Sequence, residues 1–213
     1  MASFLFPTAA ITLLLLVLSP SPSVAGPILD VDGDILQNGG DYYILPAFRP
    51  LISSAEEGGL RLTPAEDSSP CPLFITNSWT KRGLPVKIST LYFIPILTTS
   101  FPIIFSFDKV STTCNKPLRW WVAPSDANNN SYVIVGTKGP FKPTYVFNIK
   151  EAGKDVYNIK FCHITESDIF RVSAMDCKDV TLLDDGKLGV AENSPFPFVF
   201  KKYSPKKIAS YVD

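Results

Sequence analysis

Short runs of β-branched and aromatic residues, each closed off by Pro, Gly, Asn or Asp, recur along most of this chain and leave it little scope for anything but sheet. The runs are Tyr42–Leu45, Leu73–Thr76, Val86–Ile88, Pro102–Phe107, Trp120–Val122, Tyr132–Val135, Thr144–Phe147, Val156–Phe161, Phe170–Val172 and Phe198–Phe200. Each has the length of one strand. No stretch holds a helical apolar period for three turns, and 19 prolines remove backbone donors wherever a helix would need them. The class is all-β. Ten or more short strands in one domain build either a sandwich or a closed barrel, and periodicity does not separate the two.

Residues 1–25 contain no charged group and include the apolar run Ile11–Leu18, followed by Pro and Ser and then Ser23-Val24-Ala25, with small side chains at cleavage-type positions. This is the pattern of a secretory signal peptide cut after Ala25. The run is shorter than the ~20 apolar residues that span a bilayer, and no later segment is long enough, so no membrane contact is expected once the signal is removed. Residues 26–213 have the size of one domain and can bury a core without a metal. Lys plus Arg and Asp plus Glu both number 20, which leaves no long-range attraction for nucleic acid. Recognition must come from a local surface. Cys71, Cys114, Cys162 and Cys177 all lie in the exported part and fit two disulfides in an oxidising compartment, with three pairings open. None of them has the C-x-x-C spacing of a zinc or redox site.

Ile28, Asp30, Asp32, Gly33, Asp34, Leu36, Tyr42 and Ile44 form a fixed pattern of apolar, acidic, glycine and tyrosine positions. That pattern resembles the opening of the plant Kunitz-type (soybean trypsin inhibitor-like) protease inhibitors. The likeness continues through Tyr43–Pro46, Gly59–Leu62, Cys71-Pro72-Leu73, Gly83–Val86, Phe105-Ser106-Phe107, Tyr157–Cys162 and Pro197–Phe200, and so covers residues 26–213. It implies a β-trefoil of twelve short strands in three pseudo-repeats. It also implies disulfides Cys71–Cys114 and Cys162–Cys177, a binding protein and not an enzyme, no cofactor, and secretion or vacuolar delivery as a monomer. A faint echo of three repeats agrees: Phe101–Phe105, Phe141–Phe147 and Phe196–Phe200 each set an aromatic and a proline before a β run.

An inhibitor that mimics a substrate needs a convex loop held in shape, so that attack by the protease does not let it relax. The resemblance implies that this loop is Ser89–Ile96, with Leu91, Tyr92, Phe93, Ile94 and Pro95 at its centre. Counting from Gly83 without gaps puts Phe93 at the position that enters the protease pocket, with Phe93–Ile94 as the mimicked scissile bond. There is no basic residue between Lys87 and Lys109, so the pocket expected is the apolar slot of a chymotrypsin-like serine protease rather than the acidic pocket of trypsin. A shift of one or two residues would put Tyr92 or Leu91 there with the same preference. Pro95, two residues past the bond, lacks the N–H that a protease contact would use. The run is also apolar enough to pack inward as plain barrel structure. A trefoil without protease affinity, serving in storage, taste or sugar binding, is therefore the alternative, as is inhibition of another protease class. Asn38 matches the family asparagine that bonds carbonyls on both sides of the scissile bond, which one amide can do. Asn38-Gly39-Gly40 is equally suited to a tight turn.

Other signals carry less. Asp30, Asp32 and Asp34 around Gly33 look like a calcium loop, but the glycine is fourth and not sixth, and turn chemistry accounts for them. His163 stands alone, without a nucleophile elbow or metal partners. Trp79, Trp120 and Trp121 lack the Gln-x-Trp triplet of trefoil lectins and are expected to pack. Lys81-Arg82 fits a solvated pair. Asn129-Asn130-Ser131 is an N-glycosylation sequon in a polar loop, with Asn129 the acceptor.

Overall fold

The computed structural model describes residues 25–48, 58–66, 69–99, 101–114, 116–136, 145–163 and 176–205. All of the expected signal peptide except Ala25 lies outside them, as do the run Phe170–Val172, the start of the echo at Phe141, and the side chain of His163.

Twelve strands follow one another: β1 Gly40–Pro46, β2 Gly59–Glu66, β3 Ser69–Ser78, β4 Val86–Ser89, β5 Ile104–Ser106, β6 Trp121–Val122, β7 Ser131–Val135, β8 Tyr145–Gly153, β9 Val156–His163, β10 Asp176–Leu182, β11 Leu188–Ala191 and β12 Pro197–Lys202. Their pairing forms a closed ring. β1 pairs with β4, β4 with β5, Ile103 at the foot of β5 with Phe147 of β8, β8 with β9, β9 with β12, and β12 back with β1. The remaining six strands form three hairpins, β2–β3, β6–β7 and β10–β11. These join one another through β3–β7, β7–β11 and the bridge Thr76–Lys187. Closure of the ring leaves its six strands no open edge to invite pairing with another chain, whereas β2 and β6 in the hairpins each pair with a single strand.

The alternating side chains of these strands fill the barrel. Phe198 and Phe200 of β12 point inward and are fully buried, while Val199 between them is not. Phe105, Trp120 and Phe147 meet with ring centroids 4.4 to 5.7 Å apart, and the Phe107 ring lies 6.5 Å from that of Trp120, tilted by 29°. Trp120 is therefore core, whereas Trp79 is exposed. Two disulfides tie the chain, Cys71 to Cys114 and Cys162 to Cys177. The second joins residues directly opposite each other on β9 and β10.

Before β1, the chain lies as a strap against the barrel. It opens with a five-residue turn in which the Asp30 N–H donates to the Asp34 carbonyl (2.9 Å) and the Gly33 N–H to the Asp30 carbonyl (3.0 Å). Gly33 has φ 84°. One Asp30 carboxylate oxygen accepts the N–H groups of Asp32 and Asp34, so Asp30 serves the turn, while the Asp32 and Asp34 side chains are exposed. The same backbone turn recurs at Asp126–Asn130, with Asn129 at φ 63°, and at Leu183–Lys187, with Gly186 at φ 76°. Past its turn the strap runs beside residues 95–98. The Ile28 N–H donates to the Leu97 carbonyl, the Leu97 N–H to the Leu36 carbonyl, and the Leu36 N–H to the Ile28 carbonyl. All three side chains are buried, and this local sheet anchors the far end of the loop that follows β4.

Candidate functional site

β4 and β5 are neighbours in the barrel, yet 14 residues separate them, and the chain between them stands out from the surface. Along it Leu91, Phe93 and Pro95 face outward while Tyr92, Ile94 and Ile96 are half-buried. The apolar run is thus divided between solvent and protein. Phe93 is the extreme, with relative exposure 108% against 61% for Leu91, more than any other large apolar side chain among the described residues. The Ile94 N–H donates to the Tyr92 carbonyl at 2.9 Å. That bond spans three residues with Phe93 in the middle, which is a γ-turn. Phe93 has no positive φ, so the turn is the inverse, unstrained kind. Its vertex pushes the phenyl ring into solvent.

Asn38 holds this vertex from below. Its side-chain nitrogen donates to the Tyr92 carbonyl (3.2 Å) and the Ile94 carbonyl (2.9 Å), on either side of Phe93. Its side-chain oxygen accepts the Thr90 N–H at 3.0 Å, and its own backbone N–H donates to the Pro95 carbonyl at 2.9 Å. One residue therefore ties four positions of the loop. The turn reading of Asn38-Gly39-Gly40 holds as well: the Gly40 N–H donates to the Gln37 carbonyl, and Gly39 takes φ 80°. Gly40 is there for space, because a Cβ would sit 2.7 Å from the Tyr42 ring and 3.1 Å from the Gln37 carbonyl. That closeness lets the Tyr42 hydroxyl accept the Gln37 N–H at 2.8 Å, setting the residue before Asn38. Burial pushes the Tyr42 phenol above its usual value, although the bond to Gln37 works the other way.

The base of the loop is held by ion pairs. Lys87 on β4 reaches Asp108 at 3.0 Å, and Lys109 reaches Asp41 on β1 at 2.9 Å. Burial raises Asp108, but hydrogen bonds from Ser106 and Lys87 and the Lys87 charge outweigh it and keep its carboxyl below the ordinary range. No cationic side chain stands on the loop itself. Among the described residues no cluster of His, Cys, Asp and Glu could hold a metal.

A family model described as trypsin and protease inhibitor, the legume Kunitz type, matches residues 28–202. The chain belongs to that family. A trypsin inhibitor of Bauhinia variegata is 31% identical over 182 residues, covering 82% of this chain and 95% of the relative. A trypsin inhibitor of Enterolobium contortisiliquum is 33% identical over 182 residues, covering 82% and 96%. The crystal structure of a Kunitz-type trypsin inhibitor from Cicer arietinum superposes with a TM-score of 0.67 at 27% identity, covering 84% of this chain and 99% of that one. The closed ring with its three hairpins is accordingly the β-trefoil of the Kunitz inhibitors, and members of the family are protease inhibitors, not enzymes.

The other residues singled out in the sequence lie away from the loop. Arg82 lies over the Tyr43 ring at 4.9 Å, and its carbonyl accepts a bond from Arg61, so it works as a surface clasp. Asn129 occupies the exposed tip of the β6–β7 hairpin. What the sequence did not single out is the role of Tyr42 and of the strap as anchors; the only signal was the family spacing that includes Tyr42, which carries no hint of its hydroxyl's use.

Proposed function

We propose that this chain is an exported inhibitor of a serine endopeptidase with an apolar primary pocket, acting through residues 89–96 as a substrate-like loop in which Phe93 fills the pocket and Asn38 braces the backbone. The observation that carries this reading is the fully exposed Phe93 ring between two carbonyls held by a single amide. A protease can engage such a vertex as it would a substrate, while the four ties to Asn38 keep the residues flanking the Phe93–Ile94 bond from drifting apart. The relatives are trypsin inhibitors, but trypsin's pocket requires a cation, and this loop offers a phenyl ring. Export rests on the character of residues 1–25, and Asn129 at a solvent-facing turn is a suitable glycan acceptor. The protein is proposed to act as a monomer in the secretory pathway or outside the cell.

Pro95 favours a second reading, a trefoil with no protease affinity, because a hydrogen bond to the protease is missing two residues beyond the bond. The magnitudes favour inhibition. One absent hydrogen bond costs about 0.5–1.5 kcal/mol, whereas burying the Phe93 ring contributes about 2–3 kcal/mol.

The test is separate titration of chymotrypsin and trypsin with residues 26–213, with Phe93→Ala and with Phe93→Arg. Chymotrypsin should be inhibited and trypsin spared. Phe93→Ala should weaken binding about 30- to 150-fold, the equivalent of the lost ring, and Phe93→Arg should exchange one target for the other. If the unaltered chain inhibits neither enzyme, the second reading replaces the first.

A further inference from the structure

Asn38 fixes the loop through four hydrogen bonds, all of them to main-chain atoms of Thr90, Tyr92, Ile94 and Pro95. Those bonds hold the backbone and leave the side chains beside Phe93 to be supported by packing.

The Tyr92 side chain has such a support. It turns inward between the two outward residues Leu91 and Phe93 and packs on Phe101, with ring centroids 5.0 Å apart and planes tilted by 48°. Phe101 in turn is secured from the barrel interior. Asn148 on β8 is completely buried, a placement unusual for an amide and tolerable only when it is bonded. With its nitrogen directed toward the two neighbouring carbonyls, it donates to Phe101 (3.2 Å) and Phe147 (2.9 Å). The Phe147 carbonyl also accepts the Ile103 N–H at 2.7 Å. A polar side chain from β8 therefore holds the segment just before β5, and the ring on that segment holds the residue preceding Phe93.

We infer that Phe101 is a positioning residue for the inhibitory loop: its ring clamps Tyr92, Asn148 fixes its backbone from within the barrel, and the pair forms a second brace that sets the direction of Phe93 independently of Asn38. This rests on the reading of 89–96 as the protease-binding loop. The clamp joins the loop to a strand in the last third of the chain, so the loop is supported from the strap on one side and from β8 on the other.

Phe101 is only half-buried, so its replacement leaves the barrel core intact, and the clamp can be followed without any protease. Backbone hydrogen exchange is measured in the unaltered chain, Phe101→Ala, Tyr92→Ala, the double variant and Phe101→Trp. The reporters are the amides of Ile94, bonded to Tyr92, and of Thr90, bonded to Asn38. Each alanine variant should speed exchange at Ile94 by about 2- to 12-fold, the range an aromatic pair supplies. The double variant should be no faster than the single ones, Phe101→Trp should restore protection, and the core amide of Val190 should be unmoved. Unchanged exchange at Ile94, or additive effects in the double variant, would overturn the inference. Dissociation from chymotrypsin, measured on the same set, should accelerate by a similar factor. Should the unaltered chain bind no protease while the exchange pattern appears as described, the functional reading fails and the clamp stands.

Discussion

Asn38 is the residue on which the loop depends, and its amide is not replaceable by a carboxylate. Asn38→Ala removes three side-chain hydrogen bonds but leaves the backbone tie to Pro95. Asn38→Asp keeps the acceptor for the Thr90 N–H and loses the donor, placing negative charge against the carbonyls of Tyr92 and Ile94. Isosteric though it is, the aspartate variant should be at least as damaging as alanine. At about 0.5–1.5 kcal/mol per bond, partly compensated by water, inhibition should weaken about 10- to 100-fold in Asn38→Ala. Both variants should be cut faster at Phe93–Ile94, with little change in melting temperature. Inhibition constants and cleavage rates on the same preparations check this, and an Asn38→Asp protein that inhibits normally would remove the donor from the mechanism.

Among the elements, the strap before β1 is held by two phenols. Tyr42 accepts the Gln37 N–H, and Tyr157 on β9 accepts the Leu29 N–H at 2.8 Å. Burial raises both pKa values above the ordinary range. A group with a raised folded pKa contributes fully below its unfolded value, about 10 for tyrosine, and loses that contribution as pH rises through the folded value. Stability should therefore hold to about pH 10 and decline beyond it, and a Tyr42→Phe, Tyr157→Phe protein should show a shallower alkaline decline. Thermal melts across that range decide it. The strands themselves were unevenly legible. β1, β4, β7, β9 and β12 announce themselves by clustered aromatic and β-branched residues. β2 does not, because Arg61, Pro64 and Glu66 dilute the pattern in a strand at the rim, nor does β10, which begins Asp176-Cys177-Lys178-Asp179. β11 is four residues with a central glycine. β8 runs on to Gly153 because Lys150 and Glu151 continue the ladder to β9 with their side chains exposed. At the candidate site, family spacing pointed to the segment that is exposed at Phe93 and to the Asn38 bonded beneath it. The ring of Phe101 and the amide of Asn148 were not legible, since a contact between Tyr92 and Phe101 across 9 positions and one between Phe101 and Asn148 across 47 leave no periodic trace.

At the scale of the whole molecule, closure of the barrel depends on pairing β1 with β12, Tyr42 opposite Lys202, a register that strand periodicity cannot foresee; the family resemblance supplied the trefoil but not the register. The covalent connectivity adds something the strands do not. The Cys71–Cys114 bond spans 43 positions of sequence, and the Phe93–Ile94 bond lies between its ends. Hydrolysis there would yield no free fragments: gels of the protease-treated protein should show an intact mass without reductant and two pieces with it, and separation without reductant would mean the cut lies elsewhere. The molecule is thus a macrocycle as far as its target is concerned. A nick merely opens the ring, the new amine and carboxylate remain neighbours at high effective concentration, and resynthesis of the peptide bond becomes a unimolecular event in which the protease serves as catalyst in both directions.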